Sequence, residues 1–244
     1  MTKQLRAVYC LAAAAVCLAA GAVDAQAQIR RVEPRQSIGF NLGYFALRAE
    51  DARPDDDVLI RNLFDVEPLL FETRDFNGAS IGGEWLFGLG EFLEGGVGVG
   101  FYRRSVPSVY AHVVRDNGRE IEQTLRLRVV PINATIRFLP IGRGGVEPYV
   151  GAGLGLFNWR YSETGDFVDV FDYSVFPGRF SASGTTAGPV VLGGVRFPVG
   201  GVWLVGGEVR YQRAIGDVDA ASELLGERFD LSGWTTSLTV HFRF

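Results

Sequence analysis

Apolar and polar positions alternate with period two along eight stretches of the chain. Residues 234–244 are the clearest case. Trp234, Thr236, Leu238, Val240, Phe242 and Phe244 occupy one face; Thr235, Ser237, Thr239, His241 and Arg243 occupy the other. That period belongs to a β-strand with two chemically different faces. About eleven residues are enough to cross a bilayer at a tilt. Seven earlier stretches repeat the pattern, at residues 37–48, 79–87, 92–103, 124–139, 148–160, 186–197 and 202–211. The first sets Ile38, Phe40, Leu42, Tyr44 and Ala46 against Ser37, Gly39, Asn41 and Gly43. The fifth sets Val150, Ala152, Leu154 and Leu156 against Tyr149, Gly151, Gly153 and Gly155. Pro131 interrupts the fourth and predicts a bulge or an irregular ladder there.

The links between these strands alternate in length. Residues 49–78, 104–123, 161–185 and 212–232 form long links. Residues 88–91, 140–147 and 198–201 form short ones. This alternation predicts an all-β, eight-stranded antiparallel up-and-down transmembrane β-barrel, with short turns on one rim and long loops on the other. An even strand count puts both ends of the barrel on the rim of the short turns.

Period two alone does not say which face meets lipid. Three features place the apolar face outward. The polar face is mostly Gly, Ser, Thr and Asn, whereas a water-facing wall carries more long charges. Aromatic residues such as Tyr44, Trp85, Phe101, Phe138, Trp203, Tyr211 and Trp234 sit near strand ends, where interfacial girdles belong. The charges on the polar face are of both signs. Glu84, Glu94 and Glu208 are therefore candidates to pair with Arg137, Arg196 and Arg210 in a lumenal polar network, with Arg243 beside them. The competing expectation puts Glu84, Glu94, Arg137 and Arg196 at a wet rim, since each lies close to a short turn.

Composition sharpens the picture. Gly supplies 32 of 244 residues, about twice its usual share, which suits a narrow barrel where inward side chains compete for room. The net charge of −4 leaves no basic footprint for nucleic acid. Both cysteines, Cys10 and Cys17, fall in a segment that reads as a cleaved secretory signal peptide, residues 1–27. Lys3 and Arg6 give its positive start, residues 7–20 its apolar stretch and Ala25-Gln26-Ala27 its cleavage site. Residues 28–244 are the expected barrel domain. After cleavage no cysteine remains to form a disulfide or a thiolate metal site.

Pro148-Tyr-Val-Gly-Ala-Gly-Leu-Gly155, Gly207-Glu-Val-Arg-Tyr211 and the Phe-Arg-Phe terminus resemble the small eight-stranded outer-membrane barrel group, the OmpA transmembrane domain and its OmpW- and OmpX-like relatives. The resemblance runs from about residue 36 to 244. It implies a bacterial outer-membrane location, contact with outer-membrane lipid and lipopolysaccharide, and a monomer. It also implies that Leu238, Val240, Phe242 and Phe244 form the signal read by the barrel-insertion machinery. No peptidoglycan-binding domain follows the last strand, so a cell-wall anchoring role is not expected.

Chemical motifs are sparse. Gly151-x-Gly-x-Gly155 lies within a strand with no helix after it, so the dinucleotide-loop reading fails its context. Asn133-Ala-Thr135 matches a glycosylation sequon, but mid-strand. Ser237 and His241 share a face yet sit four residues apart, roughly 13 Å along a strand, too far for a nucleophile and its base. No catalytic residue, metal or cofactor is expected. Residues 161–184 carry Phe167, Phe171, Tyr173, Phe176 and Phe180 among acids. They form either a binding loop or an outward extension of the barrel. Asp51 and residues 55–57, all acidic, precede an apolar run at 58–71 with partly helical character. The expected function is a structural, envelope-stabilising barrel displaying external loops. The alternatives are OmpW-like passage of small hydrophobic molecules and a surface-binding module.

Overall fold

Strands β1 (Gln36–Leu47), β2 (Gly78–Gly88), β3 (Leu93–Val114), β4 (Glu120–Phe138), β5 (Glu147–Val168), β6 (Val175–Pro198), β7 (Trp203–Gln212) and β10 (Gly233–Arg243) close into one antiparallel barrel. This computed structural model describes residues 36–169 and 171–244. The expected signal segment, residues 1–27, lies outside the described residues. Closure is made by β1 and β10, in the register Phe40↔Val240 and Leu42↔Leu238. Every other barrel strand pairs with its sequence neighbours, save that β7 pairs directly with β10. A closed barrel leaves no edge unpaired, which is what a β-structure needs in hydrocarbon.

The two rims differ as alternating link lengths require. Residues 89–92, 139–146 and 199–202 make tight turns, eased at Gly200 by a positive φ of 82° that a side chain rarely adopts. The other rim is not built mainly of loops, and here the expectation from sequence is corrected. The links expected at 104–123 and 161–185 are largely strand. β3 and β4 run on to a turn at 115–119, and β5 and β6 run on to a tip at 169–174. These four strands have 22, 19, 22 and 24 residues, about twice what a bilayer requires. The surplus stands beyond the membrane as a wall over half the circumference.

Along β4 the reason becomes visible. From Ile132 to Phe138 the even residues Ile132, Ala134, Ile136 and Phe138 face out and the odd residues Asn133, Thr135 and Arg137 face in. The parity holds above Pro131, but the chemistry inverts. Ile121, Leu125, Leu127 and Val129 now point inward, while Glu122, Thr124, Arg126 and Arg128 point outward. β5 inverts at the same level. Leu154 and Leu156 face out below; Phe157, Trp159 and Tyr161 face in above, with Asn158 and Arg160 outside. The lower half follows membrane-barrel logic and the upper half follows that of a soluble barrel with an apolar interior. Pro131 itself interrupts the β3–β4 ladder, which is broken between Val99↔Ile132 and Tyr102↔Val129 without a change of register.

Two links fold over the open end. Residues 48–77 carry helix α1 (Val58–Phe64) between short 3-10 turns at Glu50–Ala52 and Thr73–Phe76. Residues 213–232 carry a small hairpin, β8 (Ile215–Asp217) with β9 (Arg228–Asp230). Both insert apolar side chains into the upper barrel, namely Val58, Leu59, Leu69 and Phe76 from the first and Phe229 and Leu231 from the second.

Candidate functional site

The lower lumen holds a charged cluster in which all six expected residues meet. Arg137 on β4 and Arg196 on β6 have no exposed surface. Arg137 forks onto Glu84 of β2, Nη1 to Oε1 at 3.1 Å and Nη2 to Oε2 at 2.5 Å, and its Nη2 lies 3.1 Å from Glu208 Oε2. Arg196 forks onto Glu94 of β3 at 3.0 and 3.2 Å and lies 3.4 Å from Glu147. Arg210 binds Glu208 through Nε and Nη2 at 3.1 and 2.7 Å. These are bidentate, charge-assisted contacts, the strong kind. Their burial excludes the wet-rim placement of Glu84, Glu94, Arg137 and Arg196.

Five more groups complete the cluster. Glu147, fully buried at the start of β5, accepts two bonds from Arg243 at 2.9 Å each. Arg143 reaches Glu94 at 3.5 Å from the turn below. Tyr149 donates to Glu208 at 3.0 Å, and its ring lies between the guanidinium groups of Arg137 and Arg196, 5.0 and 4.9 Å from its centroid. His241 Nε2 lies 3.6 Å from Glu84 Oε1. Sequence reading counted Glu147 into a turn. Its even spacing with Tyr149, Gly151 and Gly153 on the inward face was the signal for it.

The upper lumen is filled differently. Trp159 stacks on Phe229 at 5.5 Å and Tyr161 meets Phe229 at 4.8 Å. A buried ion pair ties the two covering links together. Asp57 caps α1 by accepting from Leu59 N at 3.0 Å, accepts from Arg53 Nε and Nη2 at 2.9 Å each, and accepts from Asp230 N at 2.6 Å. Arg53 also donates to the Asp230 carbonyl at 2.7 Å. Nearby, Glu163 receives bonds from Asn62 of α1 and from Tyr161 Oη. Burial, opposed only by those two bonds, raises its pKa above the usual carboxylate range. Between the ionic floor and the apolar roof lies a small cavity of about 50 Å³, room for a water or two, lined by Asn41, Ser80, Asn133, Glu208, Arg210 and Ser237 among others.

The remaining sequence candidates are placed as follows. His112 is exposed on outer β3 and Ser237 and His241 face the lumen without meeting each other. The aromatic stretch is the outer β5–β6 ladder. Phe167 packs on Phe176 and Phe180 at 6.1 and 4.6 Å, while Phe171 stands 92% exposed at the tip. Asp57, one of the acids before α1, is fully buried in the clamp rather than solvated. Leu238, Val240, Phe242 and Phe244 are exposed on the outer face of β10 and just beyond it.

No family model matches the sequence, and neither does any curated protein sequence. Solved structures do match. The outer membrane protein OprG from Pseudomonas aeruginosa superposes with a TM-score of 0.52 at 9% identity, over 86% of this chain and 96% of that one. Neisserial surface protein A gives 0.47 at 15% identity, over 86% and 97%. The outer membrane protease OmpT from Escherichia coli gives 0.45 at 11% identity, over 90% and 99%. With the closed ring of eight strands and its apolar outer belt, the match to OprG gives this chain the fold of the small eight-stranded outer-membrane β-barrels.

Proposed function

We propose that this chain is a closed, non-conducting and non-catalytic barrel of the outer membrane of a Gram-negative-type bacterium. Its work is structural: it stabilises the envelope and holds a rigid folded cap outside the bilayer. The observation that carries this reading is a lumen obstructed twice. Arg137 and Arg196 sit fully buried among carboxylates below, and Trp159, Tyr161 and Phe229 pack together above. An eight-stranded barrel has an interior just wide enough for side chains, and here large ones occupy both ends. In this reading residues 1–27 are cleaved on export. The outward residues Leu238, Val240, Phe242 and Phe244 then serve as the insertion signal of a monomer. Planar-bilayer recording tests the closed lumen. The account expects no conductance above the bare bilayer; steady single-channel openings would contradict it.

A second reading is passage of small hydrophobic molecules through the wall. The unfilled space lies beside the β3–β4 ladder where Pro131 offers no donor. Uptake of a hydrophobic dye into proteoliposomes that falls on Pro131→Val would favour it. Uptake equal to that of empty liposomes would dismiss it.

A further inference from the structure

We propose that a row of outward arginines on β3, β4 and β5 binds the phosphate groups of a phosphorylated lipid headgroup in the outer leaflet. The inference rests on the outer-membrane placement proposed above. Arg103, Arg128 and Arg160 are exposed and lie side by side across three neighbouring strands, in the register Arg103↔Arg128 and Arg128↔Arg160. Residues directly opposite in antiparallel strands hold their Cβ atoms roughly 5 Å apart, and like charges so placed repel. Arg126 stands one step higher on β4, opposite Ser105, whose Oγ accepts from its Nε at 3.1 Å.

Nothing within the described residues offsets this charge. No carboxylate there forms an ion pair with Arg103, Arg126, Arg128 or Arg160, although most other arginines of the barrel and cap have one. The outward neighbours are neutral donors and acceptors. Ser183 faces Arg160, and Asn158 bonds to Thr185 at 3.1 Å. The first outward carboxylate on β4, Glu122, stands two outward positions above Arg126, so the row itself is cationic alone.

Height selects the partner. Phe101 closes the unbroken outward apolar run of β3 and Val130 that of β4; Arg103 and Arg128 come next on each strand. On β5, Leu156 ends the belt and Arg160 follows beyond Asn158. The row therefore lies where hydrocarbon gives way to headgroups. Across the barrel the same edge carries Tyr44, Tyr211 and Trp234, an ordinary aromatic girdle. Guanidinium groups match phosphate oxygens in paired bonds. Two phosphates on one rigid headgroup, as in the lipid A part of lipopolysaccharide, suit three cations in line.

The test uses protein extracted from membranes in mild detergent, titrated with bisphosphorylated lipid A and read by native mass spectrometry. The triple variant Arg103→Gln, Arg128→Gln, Arg160→Gln should bind about a hundredfold more weakly, as three basic side chains at an anionic surface imply. Dephosphorylated lipid A should bind both proteins alike. Equal lipid A affinity in the two proteins, or displacement by millimolar inorganic phosphate (a free-ion site), would overturn the proposal. Heat-modifiable gel mobility is recorded on each sample. A wild-type protein that lacks it would fail the membrane-barrel reading instead. Should the triple variant not fold, the Arg103→Gln, Arg128→Gln pair is judged by the same criteria.

Discussion

Replacing Arg137 by Met is the most informative perturbation of the lumen. Its guanidinium forks onto Glu84 at 3.1 and 2.5 Å and also lies 3.1 Å from Glu208. Met keeps the aliphatic volume and removes the charge. Glu208 keeps Arg210 at 2.7 Å, but Glu84 is left with Arg210 at 3.8 Å and His241 at 3.6 Å. One buried carboxylate thus loses its one close partner and both of the short bonds that partner made. Removing one member of a buried pair destabilises by about 3–5 kcal/mol; the residual contact from Arg210 places the expectation near the lower end, about 3 kcal/mol. Adding Glu84→Gln to Arg137→Met should recover most of that loss, because no charge then stays unpaired. The assay is reversible urea unfolding in lipid vesicles, followed by tryptophan fluorescence and gel mobility, for the wild type, both single variants and the double. A loss below about 1 kcal/mol for Arg137→Met, the value of an exposed ion pair, would refute the claim that this cluster is a buried floor. So would a double variant no better than the single.

Other perturbations probe other parts of the account. Leu238→Arg places a charge on the lipid face of β10 and should cost about 2–4 kcal/mol if it sits near the midplane; the same urea assay checks it. A Cβ at Gly153 would run into the Ala134 carbonyl of the neighbouring strand, so Gly153→Val should abolish the folded gel band. Glu163 gives the cap a pH dependence. Its unfolded pKa is near the model-peptide value of 4.5 and its folded pKa is higher because of burial. Between the two the folded cap holds the extra proton, so cap stability is greatest below the unfolded value and declines as pH rises through the folded one. Hydrogen exchange in α1 should accelerate over that window, and Glu163→Gln should flatten the profile.

The membrane-spanning halves of the strands were legible because lipid outside and glycine inside produce a clean period of two. Ile38, Phe40 and Leu42 against Gly39, Asn41 and Gly43 is an unambiguous case. The outer halves were hidden by the same period. In Leu125-Arg-Leu-Arg-Val129 the alternation continues and the stretch reads as part of the fourth strand, but the apolar set has moved to the inner face, an inversion that a rule sending apolar side chains outward misses. The clue was the kind of polar residue, long arginines where the membrane half has glycine and threonine. Parity put the six charges on the inward face but left open, for Glu84, Glu94, Arg137 and Arg196, whether they pair in the lumen or sit at a wet rim. Glu147 was not among them, because it sits where turn gives way to strand. The contacts of Asp57 with Arg53 and with the Asp230 amide join residues up to 173 positions apart, a closeness that only the closed ring creates.

A spin-label scan down β4 reads the inversion of faces near Pro131 residue by residue. In the chain without residues 1–27, which carries no cysteine, single cysteines at residues 126 to 136 are labelled in lipid vesicles, and collisions with oxygen and with a water-soluble nickel chelate are compared. Labels at Ile132, Ala134 and Ile136 should favour oxygen, those at Arg126 and Arg128 the nickel chelate, and those at Leu127 and Val129 should be shielded from both. Nickel access at Ile132 and Ile136, or oxygen preference at Arg126 and Arg128, would contradict the account.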